Sequence, residues 1–137
     1  MIKINRKVEY ALMCLKHMGS LHSEELTSAR ELCDLYHMPF DTVSKVMQQM
    51  NSVQILHSVK GVKGGYTLAK PLSQITYMEL SELIEGKSFE MKCESNHGGP
   101  CELINTCNII SPVQKINFHV AGLFKELTLE ELLMKAS

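Results

Sequence analysis

The 137-residue sequence predicts a mainly α-helical fold with one small β-hairpin: a winged helix-turn-helix followed by a long C-terminal dimerisation helix. Three observations carry that expectation. Apolar residues recur at helical spacing in three successive segments of the first half, and the last two are joined by a tight His37-Met38-Pro39 turn. Two short runs of strand-like residues then flank the glycine- and lysine-rich loop Lys60-Gly61-Val62-Lys63-Gly64-Gly65. Near the end, a segment opened by Ser111-Pro112 repeats apolar residues every three or four positions.

The first helix is expected over residues 7–19, where Val8, Ala11, Leu12, Leu15 and Met18 form one stripe and Gly19 stops it. Cys14 lies one turn from Tyr10 and reads as a small packing group, whereas Glu9 reads as a first-turn acid favoured by the helix dipole. After a polar connector, Thr27 or Ser28 caps a second helix whose inner face is Ala29, Leu32, Cys33 and Tyr36. Residues 37–40 break it, because proline disfavours helix in the residue before it. Asp41 is expected to cap a third helix to residue 52, with Val43, Val46, Met47 and Met50 inside.

The outer face of that third helix carries Thr42, Ser44, Lys45 and Gln48, which can hydrogen-bond base edges or phosphates in a major groove. An ordinary solvated face uses the same residues. The hairpin behind it, with strands near residues 55–59 and 66–69, favours DNA. A loop of three glycines and two lysines, Lys60 and Lys63, offers little to a core, but its backbone can approach a phosphate or enter a minor groove. Thr76 then caps a helix ending at Gly86, with Leu80, Leu83 and Ile84 inward. Val113, Ile116, Val120, Leu123 and Leu127 form a coiled-coil-like seam suited to a second copy of the chain, with packing on the chain's own core as the alternative. A short last helix is expected over residues 128–135.

With 45% hydrophobic and 21% charged residues, and no apolar run of about 18, the chain reads as a soluble protein that no membrane holds. Its first residues lack the apolar core of a targeting peptide, which predicts a cytoplasmic location. A net charge of -1 excludes a bulk electrostatic nucleic-acid binder, but residues 1–71 sum to +3 and residues 72–137 to -4. A basic front and an acidic back suit a protein that meets phosphate on one side. The front, residues 1–71, is assigned to DNA binding, and the back, residues 72–137, to a cofactor loop at 87–110 and the dimer helix.

Within that loop, Cys93, Cys101 and Cys107 stand eight and six residues apart around Gly98-Gly99-Pro100. Glycine and proline spent on bends, with cysteine at the bends, suit wrapping an ion or cluster better than filling a core. The alternatives are a plain connector with packed thiols, a disulfide, which a reducing compartment disfavours, or zinc, which usually shows a Cys-x-x-Cys knuckle. Soft thiolates on a long loop with one ligand position left over favour an iron-sulfur cluster.

Met38-Pro39, the helix from Val43 to Met50, the run from Ser58 to Pro71, Ile75-Thr76, Glu85-Gly86 and the three-cysteine loop together resemble the family of winged-helix regulators that includes IscR, NsrR and RirA. The likeness extends from Tyr10-Ala11-Leu12 to the closing residues 127–132. It implies a homodimeric transcriptional regulator, a repressor of a double-stranded DNA operator, controlled by an iron-sulfur cluster that senses iron, redox state or nitric oxide. By the same resemblance Cys93, Cys101 and Cys107 bind the cluster, a 4Fe-4S type favoured over a 2Fe-2S type, with RirA-like spacing. The remaining ligand in some members is a histidine soon after the third cysteine, where this chain has Ile110. In others it is a first-helix carboxylate, which matches Glu9, supplied across the dimer. His97 is the second choice. Lys60 stands where the family often has arginine, Thr42-Val43 where it has tyrosine-leucine, and Gln54 where a glycine is common. If position 54 is left-handed, that glutamine costs about 1 kcal/mol.

Two other functions fit parts of the sequence. A winged-helix regulator without a cluster would sense through bare thiols or bound zinc. An enzyme is disfavoured, because the chain shows no conventional nucleophile motif, no phosphate-binding helix start and no paired acids in a plausible cleft order.

Overall fold

The computed structural model describes residues 4–22, 25–86 and 105–135. Six α-helices, one two-stranded antiparallel hairpin and one short 3-10 turn follow in the order α1 (Arg6–Gly19), α2 (Ala29–Tyr36), α3 (Phe40–Ser52), β1 (Leu56–Val59), β2 (Gly65–Leu68), the turn Leu72–Gln74, α4 (Tyr77–Glu85), α5 (Ile110–Glu126) and α6 (Leu129–Leu133). Among the described residues, no helix is long and apolar enough to cross a membrane.

Local chemistry explains most of the boundaries. Asn5, Ser28, Thr76 and Thr128 each accept a hydrogen bond from a backbone N–H of the first helical turn, which is the ordinary capping use of a short polar side chain. Gly86 closes α4 in the left-handed conformation, at φ 72°. Two helix starts depart from expectation. α3 is preceded by Pro39 with no side-chain cap, so Asp41 sits inside the first turn rather than before it. Phe40, expected among the helix-breaking residues, is the first residue of α3. The fixed φ of Pro39, -70°, already suits a helix entrance, so the chain turns two residues earlier than a capping aspartate would dictate. α5 likewise begins at Ile110, and Ser111 and Pro112 are absorbed into its first turn. A proline there loses nothing, because the first N–H groups of a helix have no intrahelical partner.

The core is built as the apolar stripes require. Val8, Ala11, Cys14 and Leu15 of α1 meet Val43, Val46, Met47 and Met50 of α3, all essentially sealed from solvent. Leu32 and Cys33 of α2 close one side of the cluster. Leu72, Ile75, Leu80, Ile84 and Leu129 join it, so one core draws on both sides of residue 71. Two backbone ties fix the second half: Tyr77 N–H donates to Leu127 C=O at 2.8 Å, and Leu129 N–H to Ile75 C=O at 2.8 Å.

The hairpin pairs Leu56 with Leu68 and Val59 with Gly65. Its loop closes through Gly64 N–H donating to Gly61 C=O at 3.0 Å, and Gly61 takes φ 122°, a conformation closed to ordinary side chains. A third segment joins it. Thr27 and Tyr66 exchange both backbone hydrogen bonds, at 3.0 and 2.8 Å, which fastens the entrance of α2 to the wing. A Cβ on Gly65 would stand 2.9 Å from the Thr27 carbonyl oxygen, so glycine is what permits this close approach.

Candidate functional site

The outer face of α3 is open to solvent. Lys45 and Gln48 are exposed and Thr42 and Ser44 half-buried, while the opposite face is sealed into the core by Val43, Val46, Met47 and Met50. Thr42 and Ser44 flank the exposed ridge rather than crown it; Asp41 and Ser52 share the ridge with Lys45 and Gln48. Lys60 and Lys63 are exposed in the wing loop, with Val62 between them fully solvated. The helix and the wing are held together by one chain of contacts: α3 packs on β1, β2 pairs with β1, and Tyr66 of β2 pairs with Thr27 at the start of α2.

Sequence reasoning overlooked one cation on this side. The guanidinium carbon of Arg30, in the first turn of α2, lies 4.0 Å from the centroid of the Phe40 ring at the start of α3. The only sequence signal was an arginine ten residues from an aromatic across the turn, which no periodicity detects.

The expected cofactor ligands fall into two groups. Cys93, Cys101 and His97 lie outside the described residues, together with most of the loop assigned to residues 87–110. Cys107 is half-buried in the segment leading into α5. Glu9 sits in the first turn of α1 with its side chain 40% exposed, paired with Arg6 at 3.0 Å. Among the described residues no group of three or more histidine, cysteine or acidic side chains is gathered as a metal would need. The donor types nevertheless suit such a group: Cys107 offers a half-buried thiol and Glu9 a partly exposed carboxylate.

The other described cysteines are of a different kind. Cys14 is sealed in the core, and burial, reinforced by neighbouring Cys33, pushes its thiol up to about 12. Burial raises Cys33 as well, with the charge of Arg30 acting in the opposite sense. Burial disfavours the thiolate that a nucleophile or ligand must supply, and both side chains pack in the core.

The seam expected on α5 divides in two. Val113, Val120 and Leu127 are half-buried; Leu127 and Phe124 pack on the core, and Phe124 meets Tyr77 of α4 with ring centroids 4.8 Å apart. Leu127 stands just beyond the helix, as its C-terminal cap. Ile116 and Leu123 face solvent at 51% and 58% exposure. Asn117 lies on the inner side, buried, with both side-chain polar atoms lacking a hydrogen-bond partner.

Comparison with known proteins agrees with this architecture. The profile of the Rrf2 family, described as "Iron-dependent Transcriptional regulator", matches residues 4–135. The regulator NsrR of Oceanobacillus iheyensis is 24% identical over 132 residues, covering 96% of this chain and 90% of that protein. Among solved structures, CymR of B. subtilis, titled a global cysteine regulator, superposes with a TM-score of 0.72 at 19% identity over 100% of both chains. IscR of T. potens superposes with a TM-score of 0.68 at 15% identity, covering 99% of this chain and 93% of that one. These relatives are regulators rather than enzymes, and the fold is theirs. The match over nearly the whole chain settles its kinship: it belongs to the Rrf2 family of DNA-binding, winged-helix transcriptional regulators.

Proposed function

We propose that the chain is an operator-binding repressor, working as a homodimer in the cytoplasm, whose affinity for double-stranded DNA is set by an iron-sulfur cluster. Thr42, Ser44, Lys45 and Gln48 would meet the major groove, and Lys60 and Lys63 the adjacent backbone or minor groove. Cys93, Cys101 and Cys107 would hold the cluster, with Glu9 of the partner subunit as the remaining ligand and His97 as its substitute. The observation that carries this reading is the contrast among the cysteines: Cys14 and Cys33 are withdrawn into the core, whereas Cys107 of the three-cysteine segment is only half-buried.

The cluster would supply a thiolate-bound iron centre with one harder, more labile oxygen ligand, open to iron loss, oxidation or nitric oxide. Because Glu9 belongs to α1, which packs on α3, a tie from Glu9 to the other subunit's loop would set the separation of the two recognition helices. A ligand regulates only if it binds the two arrangements with different free energy, and such a tie is present in one arrangement alone.

The test is an absorption spectrum with iron and sulfide content on protein purified without oxygen, beside Cys101→Ala. A brown protein whose charge-transfer bands vanish in the variant supports the reading, and the band shape separates 4Fe-4S from 2Fe-2S. A colourless, iron-free protein in both cases removes the cluster. The half-buried Cys107 thiol would then serve the second reading, a regulator sensing through bare thiols or bound zinc, which zinc analysis and thiol titration separate.

A further inference from the structure

We propose that Arg30, seated on the ring of Phe40, is a DNA-backbone contact standing between the recognition helix and the wing, an inference that rests on the operator-binding reading above. Arg30 is exposed and lies in the first turn of α2, with Glu31 beside it and Asp34 one turn further on. Despite these acids it forms no ion pair among the described residues, and its guanidinium lies over Phe40 instead, 4.0 Å from the ring centroid. A guanidinium stacked on a ring keeps its N–H edges free, and those edges match the paired oxygens of a phosphate. Stacking also removes most of the rotamer freedom that a long side chain otherwise loses on binding.

Two further contacts place this cation beside DNA-facing residues. Phe40 is one turn before Ser44 on α3, so the ring and the serine share a flank of the recognition helix. The entrance of α2 is pinned to the wing by the Thr27–Tyr66 hydrogen bonds at 3.0 and 2.8 Å, with Gly65 allowing the approach. The start of α2 is therefore tied to the start of α3 on one side and to the hairpin on the other, and Arg30 stands exposed on it. A phosphate contact there fixes register on the duplex without reading a base.

The probe is a labelled duplex recovered by in vitro selection with the wild-type protein, titrated at several salt concentrations. Arg30→Ala should weaken binding on the order of tenfold, equally for the selected duplex and for single-base variants, and lower the salt slope by about 1. Arg30→Lys should keep the slope, and Phe40→Leu should keep the slope but weaken binding, because the cation remains and its support is lost. An Arg30→Ala protein with wild-type slope and affinity overturns the assignment, as does a loss confined to one base position, which would mark a base contact. A wild-type protein that retains no duplex overturns the operator-binding reading itself and this contact with it.

Discussion

Arg6 Nη1 stands 3.0 Å from Glu9 Oε2 on the first turn of α1, so the carboxylate assigned to the cofactor already has a partner. The magnitude of that pairing decides whether it matters. An exposed ion pair one turn apart is worth about 0–1 kcal/mol, far less than a ligand bond to iron, so Arg6 can hold Glu9 in place without withholding it. Glu9→Ala should therefore shorten the lifetime of the cluster absorbance under anaerobic buffer exchange. Arg6→Ala should leave that lifetime unchanged or lengthen it. An unaltered decay in Glu9→Ala would remove the carboxylate from the ligand set and turn attention to His97.

The thiols should respond to reagents in a fixed order. Burial pushes the Cys14 thiol up to about 12 and raises Cys33 in the same direction, so both hold back the thiolate that alkylation needs. Iodoacetamide applied to native, metal-free protein should label Cys107 and spare both, as read by peptide mass spectrometry, and unfolding should expose all three. The same burial predicts a pH dependence. A thiol whose pKa is higher in the folded than in the unfolded chain keeps its proton in the fold, so its stabilising share is whole below pH 9 and is lost as pH rises from 9 toward 12. Tyr77, raised by burial above its ordinary value of 10.0, adds loss in the same direction. The thermal midpoint should fall above pH 9 in wild-type and fall less in Cys14→Ala; equal alkaline slopes in the two proteins would refute the assignment.

Gln54 adopts φ 65°, the left-handed conformation, just beyond the end of α3. A side chain there meets steric cost of about 1–2 kcal/mol that glycine avoids, partly offset by the greater freedom of glycine in the unfolded chain. Gln54 is exposed and gives up no packing. Gln54→Gly should gain about 1 kcal/mol, read as an upward shift of a few degrees in the thermal midpoint. A lower midpoint would mean that the glutamine side chain makes a contact worth more than its backbone strain.

What could be read from the sequence was local, because a helix stripe or a helix end is a short-range event. The stripes Val8-Ala11-Leu15 and Val43-Val46-Met50 are core because their spacing admits one buried face. Ser28, Thr76 and Gly86 were legible as helix ends for the same reason. Elements decided by distant partners were not. The Thr27–Tyr66 pairing and the Arg30–Phe40 stack join segments with no shared period, the first tying the entrance of α2 to the hairpin and the second tying α2 to α3. The α5 pattern supplied a period of three and four without saying which members turn inward, and the packing of Phe124 on Tyr77 decided that. Of the proposed ligands, only Glu9 and Cys107 fall among the described residues.

That division of α5 makes the homodimer testable without disturbing the protomer. Ile116 and Leu123, seven positions apart, remain at 51% and 58% exposure, and Ile109 at 55% continues the line by another seven. A strip at this interval is what one helix offers another, whereas Phe124 is already packed on the chain's own core and Val113 and Val120 are half-buried. Leaving such side chains in water forgoes about 25 cal/mol for each Å2 that a partner would cover. The double variant Ile116→Glu with Leu123→Glu should sediment at half the wild-type mass while keeping its helical circular dichroism, since neither side chain belongs to the core. Operator affinity should fall with it, because a monomer engages one half-site and loses the gain from linking two. A variant that still sediments at the wild-type dimer mass would show that the subunits meet elsewhere, and the exposed line on α5 would need another partner.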